Sequence, residues 1–247
     1  MEIGKEFLEK VIEMTAPAVL DVNGRKIVVR SSGDTEDITP NPVFAPTLEL
    51  GSLEAMVKMV KTEAALKVDA PIYIETKSPM RVECYEQHHE KDEMCLRPVR
   101  YIAKATDVPG WEEKVELPFE QAMIALRTRF QATPDTEYAL KLLSDITTGS
   151  KITYNDNGIA TSIVTKRGVD LQANASIRPI ITLRPYRTFQ EVEQPASEFL
   201  IRVNERGIAF IEADGGMWKL AARKTIKAYF EEQFEKEIKD GKVVVML

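Results

Sequence analysis

Cys84, Glu86, His88, His89, Glu90, Asp92, Glu93 and Cys95 bring both cysteines and both histidines of the chain into one short run. Two thiolates and two imidazoles are a sufficient donor set for tetrahedral zinc. The spacing argues otherwise: adjacent histidines rarely both turn inward, and there is no Cys-x-x-Cys knuckle. A β-hairpin tip explains the run more simply. Strands near residues 80–85 and 94–99 would set the two cysteines nearly opposite one another, with the intervening charges in water. No metal and no cofactor is therefore expected. With both histidines committed to that run, no histidine-centred triad can be assembled. Phosphate-loop, dinucleotide and hydrolase signatures need glycines at set spacing, so that backbone amides can approach an anion without an intervening Cβ. The only glycine pair, in Asp214-Gly215-Gly216, reads as a tight hairpin turn.

A more unusual segment combines arginine with aromatics. Lys166, Arg167, Arg178, Arg184 and Arg187 face Asp170 alone across residues 166–187, with Tyr186 and Phe189 close by. Guanidinium groups hold phosphate with planar pairs of donors, and aromatic rings stack on bases. In an extended strand Arg178, Arg184 and Tyr186 share one side while Ile181, Leu183 and Arg187 share the other, so one arginine must sit beside an apolar face. Ion pairing with Glu191, Glu193 and Glu198 is the simpler expectation. Near the C-terminus Arg223, Lys224 and Lys227 open a helix that closes on Glu231, Glu232, Glu235 and Glu237, an order opposed to the helix dipole. Either nearby acidic surface compensates, or the basic end serves a ligand. Arg178, Arg184, Tyr186, Arg187, Arg223, Lys224 and Lys227 are accordingly the candidate binding residues, and their ligand is expected to be anionic: a nucleotide or single-stranded nucleic acid.

The elements that must position these groups follow from periodicity. Apolar residues at helical spacing predict helices over 2–15, 52–66, 118–131, 135–147 and 222–239. Residues 18–22 and 26–30 flank Asn23-Gly24, the clearest hairpin signal in the chain. Strands are expected near 72–74, 80–85, 99–105, 151–154 and 159–166. Residues 177–187 and 198–220 read as further extended segments, the first at a sheet edge because of Pro179 and Pro185, and 243–245 as a short terminal strand. Residues 31–47, with acids, Pro40, Pro42 and Pro46 but no basic group, read as a solvated connector. Helices interspersed with hairpins, and no βαβ rhythm, predict an α+β fold with a mostly antiparallel sheet. One domain over 1–247 is expected, with a separable N-terminal helix-hairpin unit over 1–47.

Composition bounds the function. The 247 residues carry 33 basic and 39 acidic groups, net charge −6, with 44% hydrophobic and 29% charged residues, the balance of a soluble globular protein. Such a charge disfavours coating duplex DNA through the overall field. No apolar run approaches the ~18 residues of a membrane span, and no signal-like segment opens the chain, so a cytoplasmic protein without membrane partners is expected. Two cysteines cannot staple a framework, which leaves packing to stabilise the fold.

Several blocks occur in a suggestive order. Leu48-Glu49-Leu50 leads into Ser52-Leu53-Glu54-Ala55-Met56-Val57, then Ile72-Tyr73-Ile74-Glu75 and Arg81-Val82-Glu83. Leu117-Pro118-Phe119-Glu120-Gln121-Ala122 opens a helix, and Leu142-Leu143-Ser144-Asp145 precedes the strands at 151–154 and 159–164. Pro185-Tyr186-Arg187-Thr188-Phe189 leads to Phe199-Leu200-Ile201-Arg202. In this order the blocks, spanning most of 48–235, resemble the YfdQ-like family of phage and prophage proteins, to which no biochemical activity is attached. Trp111 and the Asp214-Gly215-Gly216 turn depart from the family pattern. The resemblance implies a phage or prophage origin, a host-cell location and an accessory role in nucleic-acid metabolism or in countering host defence. It carries over no site residues. The leading expectation is a non-enzymatic accessory protein acting as a homo-oligomer through its sheets and outer helices. Its rivals are a nucleotide- or single-strand-binding module and, last, a metal-dependent enzyme at Cys84 to Cys95.

Overall fold

The computed structural model describes residues 4–22, 25–38, 45–66, 71–86, 97–111, 116–148, 151–156, 161–167, 170–204 and 206–247. Two compact units emerge, residues 1–46 with 88–98 and residues 47–87 with 99–247. The fold is α+β. Among the described residues every strand pairing is antiparallel except two in the largest sheet.

The smaller unit holds helix α1 (Lys5–Thr15) and strands β1 (Ala18–Val22), β2 (Arg25–Val29) and β3 (Thr35–Asp37) in the order β1-β2-β3. The expected hairpin is present, with Leu20 opposite Ile27 and Ala18 opposite Val29. Alternation puts Ala18, Leu20, Val22, Ile27 and Val29 on one face. Part of the acidic stretch read as a solvated connector is instead the third strand. Its acids find basic partners around β2: Arg30 pairs with Glu36, and Arg25 lies 3.7 Å from Asp37. Gly33, at φ 87°, makes the tight return that places them there.

The larger unit opens with β4 (Leu48–Leu50), α2 (Leu53–Leu66), β5 (Ile72–Ser78), β6 (Arg81–Tyr85) and β7 (Val99–Lys104). Then follow α3 (Phe119–Arg129), α4 (Pro134–Thr148) and an antiparallel meander of β8 (Lys151–Asp156), β9 (Thr161–Arg167) and β10 (Asp170–Ser176). Strands β11 (Ile180–Leu183), β12 (Ser197–Val203) and β13 (Ile208–Glu212) precede α5 (Met217–Gln233), α6 (Glu235–Lys239) and β14 (Val243–Met246).

Two apolar cores result. In the first, the sheet β14-β5-β6-β7-β4 buries Ile72, Ile74, Val82 and Ala103 against α2 and α5, whose Leu53, Met56, Ile226 and Phe230 are fully buried. Ser52 caps α2 by accepting the Ala55 N–H at 3.1 Å, and Glu191 accepts that of Leu53 at 2.8 Å. The terminal strand β14 pairs in parallel with β5 of its own chain. In the second core α3 and α4 cover the sheet β11-β12-β13, with Leu126, Phe130, Leu143, Phe199 and Phe210 at its centre. β11 lies at the sheet edge, where its flanking prolines are tolerated.

The C-terminal helix begins five residues earlier than its periodicity suggests, at Met217 rather than 222. Gly215 and Gly216 lie at φ 65° and 80°, conformations that exclude most side chains, and they turn the chain out of β13 directly into α5. Asp214-Gly215-Gly216 is thus a helix-starting turn, and residues 217–220 are helical where an extended segment was expected. The helix then breaks at Phe234, which is buried.

Gly207 is the position where absence of a side chain matters most. A Cβ there would lie 2.1 Å from the carbonyl oxygen of Leu117, which accepts the Ile208 N–H at 2.9 Å. Gly207→Ala should therefore break the Leu117–Ile208 bridge and cost about 2 kcal/mol or more in urea unfolding, above the ordinary Gly-to-Ala range. An unchanged midpoint would mean that the bridge adds nothing.

Candidate functional site

The basic segment does not form a common face. Arg178, Arg184 and Arg187 are each taken by a different carboxylate. Arg178, at the start of β11, bonds Asp135 at 2.9 Å and stands 3.9 Å from the Tyr138 ring, while its backbone N–H donates to the Tyr138 hydroxyl. Asp135 also accepts the Thr182 N–H, so this pair ties the sheet edge to α4. Arg184 pairs with Glu193, as the sequence led one to expect. Glu191 caps α2 instead. Tyr186 is half-buried, and its backbone N–H donates to Arg129.

Arg187 is the arginine that strand parity requires beside the apolar face. Its side chain is 8% exposed and paired with Glu212, also 8% exposed. A second guanidinium nitrogen donates to Ser197, whose hydroxyl donates to Asp214 at 2.5 Å. The Trp218 ring lies over the guanidinium at 3.9 Å, and the indole N–H donates to Glu212 at 3.2 Å. Gln194 accepts the backbone N–H groups of Arg187 and Thr188, holding the loop that delivers the arginine.

The basic end of α5 divides. Arg223 donates to the Thr76 carbonyl at 2.9 Å, and Lys227 pairs with Glu231 one turn on. Lys224 is exposed and has no ion-pair partner among the described residues. The dipole of α5 is met locally, because Asp214 accepts the Gly216 N–H at 2.9 Å. Lys224 lines a groove of about 450 Å3 with Ser197, Glu198, Asp214, Met217, Trp218 and Leu220. Of the seven candidate residues Arg187 lies over the Trp218 ring and Lys224 lines the same groove as Trp218, whereas Arg178 and Arg184 sit elsewhere on their own partners.

Trp218, Glu212, Ser197 and Asp214 were not anticipated as a unit. Glu212 did carry a signal: it shares parity with Ile208 and Phe210, and a carboxylate at an inward strand position requires a partner. Trp218 carried none, because its helical placement depends on the glycine turn before it.

A second polar constellation lies on the five-stranded sheet. Glu83 accepts Arg81 Nε and the Tyr85 hydroxyl, each at 2.6 Å. Burial alone would raise its carboxyl, but these two donors together hold it below the usual value. Burial, then the Glu83 carboxylate, pushes the Tyr85 hydroxyl up to about 12. Nearby, Arg100 lies 3.1 Å from both Glu63 and Glu86, and Tyr101 donates to Glu63 at 2.5 Å. Burial and that carboxylate raise the Tyr101 hydroxyl as well. Each of these carboxylates has a guanidinium partner.

Among the described residues no group of three or more His, Cys, Asp or Glu could hold a metal ion. Cys84 is buried in β6, whereas His88, His89, Glu90, Asp92, Glu93 and Cys95 lie outside the described residues. No described helix is long and apolar enough to cross a membrane. No family model, curated protein or solved structure matches the chain.

Two outcomes check this reading. Arg187→Leu should cost about 3–5 kcal/mol in chemical denaturation, because it strands a buried carboxylate, and adding Glu212→Leu should recover part of that loss. A double variant that costs as much as the two single variants added together would show the pair to be uncoupled. For Tyr85, the difference between the ultraviolet titrations of wild type and Tyr85→Phe should have its midpoint near 12, against about 10 for free tyrosine. The folded state keeps this proton longer than the unfolded chain does. Its stabilisation is therefore complete below pH ~10 and lost as pH rises through about 12. A midpoint near 10 would remove the Glu83 contact from the account.

Proposed function

We propose that this chain is a non-enzymatic accessory protein of phage or prophage origin that acts in the host cytoplasm as a homo-oligomer, countering host defence. The observation that carries the assembly is the exposed apolar stripe of α1: Phe7 is 61% exposed, Leu8 50%, Val11 39% and Ile12 66%. Spacing of three and four residues aligns these side chains on one side of the helix. An isolated helix of 11 residues is marginal in water and gains its stability from burying such a stripe. The β1 strand adds Leu20 and Val22, both exposed on one face, and a small sheet with an apolar face also needs a partner. A second copy supplies the same surfaces in closed symmetry. The order of blocks between residues 48 and 235 supports the phage assignment.

The second reading, an anionic ligand on Arg178, Arg184, Tyr186 and Arg187, would require the ligand to displace Asp135, Glu193 and Glu212. A partly buried ion pair with good geometry resists that exchange. Self-association through α1 is therefore the reading that the geometry favours.

Sedimentation velocity of the full chain should reveal a multimer at micromolar concentration. Phe7→Glu with Ile12→Glu, both at exposed positions, should yield monomers with an unchanged far-ultraviolet dichroism spectrum. A monomeric wild type overturns the proposal, and a multimeric double variant moves the contact away from α1.

A further inference from the structure

Trp218 is held from two directions. Its N–H is committed to Glu212, and the Arg187 guanidinium covers one face at 3.9 Å. Arg187 cannot turn away, because Glu212 and Ser197 engage its terminal nitrogens in a buried setting. The indole is therefore fixed before any ligand arrives, and a preoriented ring loses little entropy on stacking. Trp218 lines the groove of about 450 Å3, and Arg187 does not. Met217 and Leu220, 64% and 37% exposed, extend the apolar wall.

The charges around this wall are uneven. Lys224, one turn beyond Leu220, is an exposed ammonium with no ion-pair partner among the described residues. Lys219, also exposed, reaches to 5.7 Å from the indole centroid. Glu198 and Asp214 line the same groove. Two acids beside the basic rim, on a chain of net charge −6, repel a polyanionic strand but leave room for one anionic group at Lys224. The volume falls within the ~300–1,000 Å3 range of small-molecule sites.

We propose that the groove between the start of α5 and β12 binds a small planar aromatic ligand with one anionic group. The ring stacks on Trp218 and the anion meets Lys224. A nucleoside monophosphate and an aromatic carboxylate share this chemistry. A second concavity, at the start of α2, offers less, since Glu191 and Ser52 already take its helix N–H groups.

Calorimetric titration of the full chain with adenosine monophosphate and with indole acetate tests the proposal, alongside ribose phosphate, which lacks the ring, and adenosine, which lacks the anion. One of the first two should bind at one site per chain, and both partial ligands should bind at least about tenfold more weakly. Preference for the nucleotide or for the carboxylate identifies the source of the shared chemistry. Lys224→Glu, at an exposed position, should weaken binding at least about tenfold with the dichroism spectrum unchanged. Trp218→Phe should retain part of the affinity, because it keeps a stacking face. The Phe7→Glu/Ile12→Glu variant should bind as wild type does, so failure here is separable from failure of assembly. No heat from either ring-bearing anion at millimolar concentration overturns the proposal. So does binding indifferent to Lys224→Glu, or tighter binding of a single-stranded oligonucleotide than of either small ligand.

Discussion

The buried pair of Arg187 and Glu212 is a contact on which the larger unit depends. It stands where three segments meet: the loop after β11, the adjoining ends of β12 and β13, and the first turn of α5. Moving two charges out of water costs several kcal/mol per ion, and their attraction offsets this only when the remaining donors and acceptors are also met. Here Ser197 takes a second guanidinium nitrogen and Trp218 gives its N–H to the carboxylate. The ring over the guanidinium adds roughly 0.5–2 kcal/mol. β12 and β13 belong to one apolar core and α5 to the other, so these polar atoms link the two cores.

This arrangement explains how an acidic protein carries a dense basic segment. Each guanidinium ties one element to another: Arg178 joins β11 to α4, Arg184 holds its own loop through Glu193, and Arg187 joins that loop to β13 and α5. The segment is a set of separate clamps. Two of these clamps carry an aromatic contact, Arg178 on Tyr138 and Arg187 on Trp218. Lys224 is exposed on α5 and has no ion-pair partner among the described residues.

Much of the architecture was legible in the chain because it follows from local rules. Helical spacing located α1 to α4 closely, Asn23-Gly24 announced the hairpin, Ser52 marked the cap of α2, and Pro179 and Pro185 marked β11 as an edge. The misreadings have specific causes. β3 was hidden because its acids suggested solvation, although Arg25 and Arg30 were waiting across the strand. The first turn of α5 was hidden because Asp-Gly-Gly serves a hairpin turn and a helix start equally well, and only the left-handed conformations of both glycines separate the two.

Residue periodicity determined the α+β class, most of the elements, the inward parity of Arg187 and the opposition of α5's charges to its dipole, since each depends on neighbours within a few positions. Pairing between distant residues had to await the tertiary structure. Arg178 meets Asp135 across 43 positions, Arg187 meets Glu212 across 25, and β14 closes the edge of the sheet beside β5. Whether a guanidinium serves a ligand or a carboxylate depends on which acid the folded chain brings within reach. That is a property of packing, and no spacing along the chain contains it.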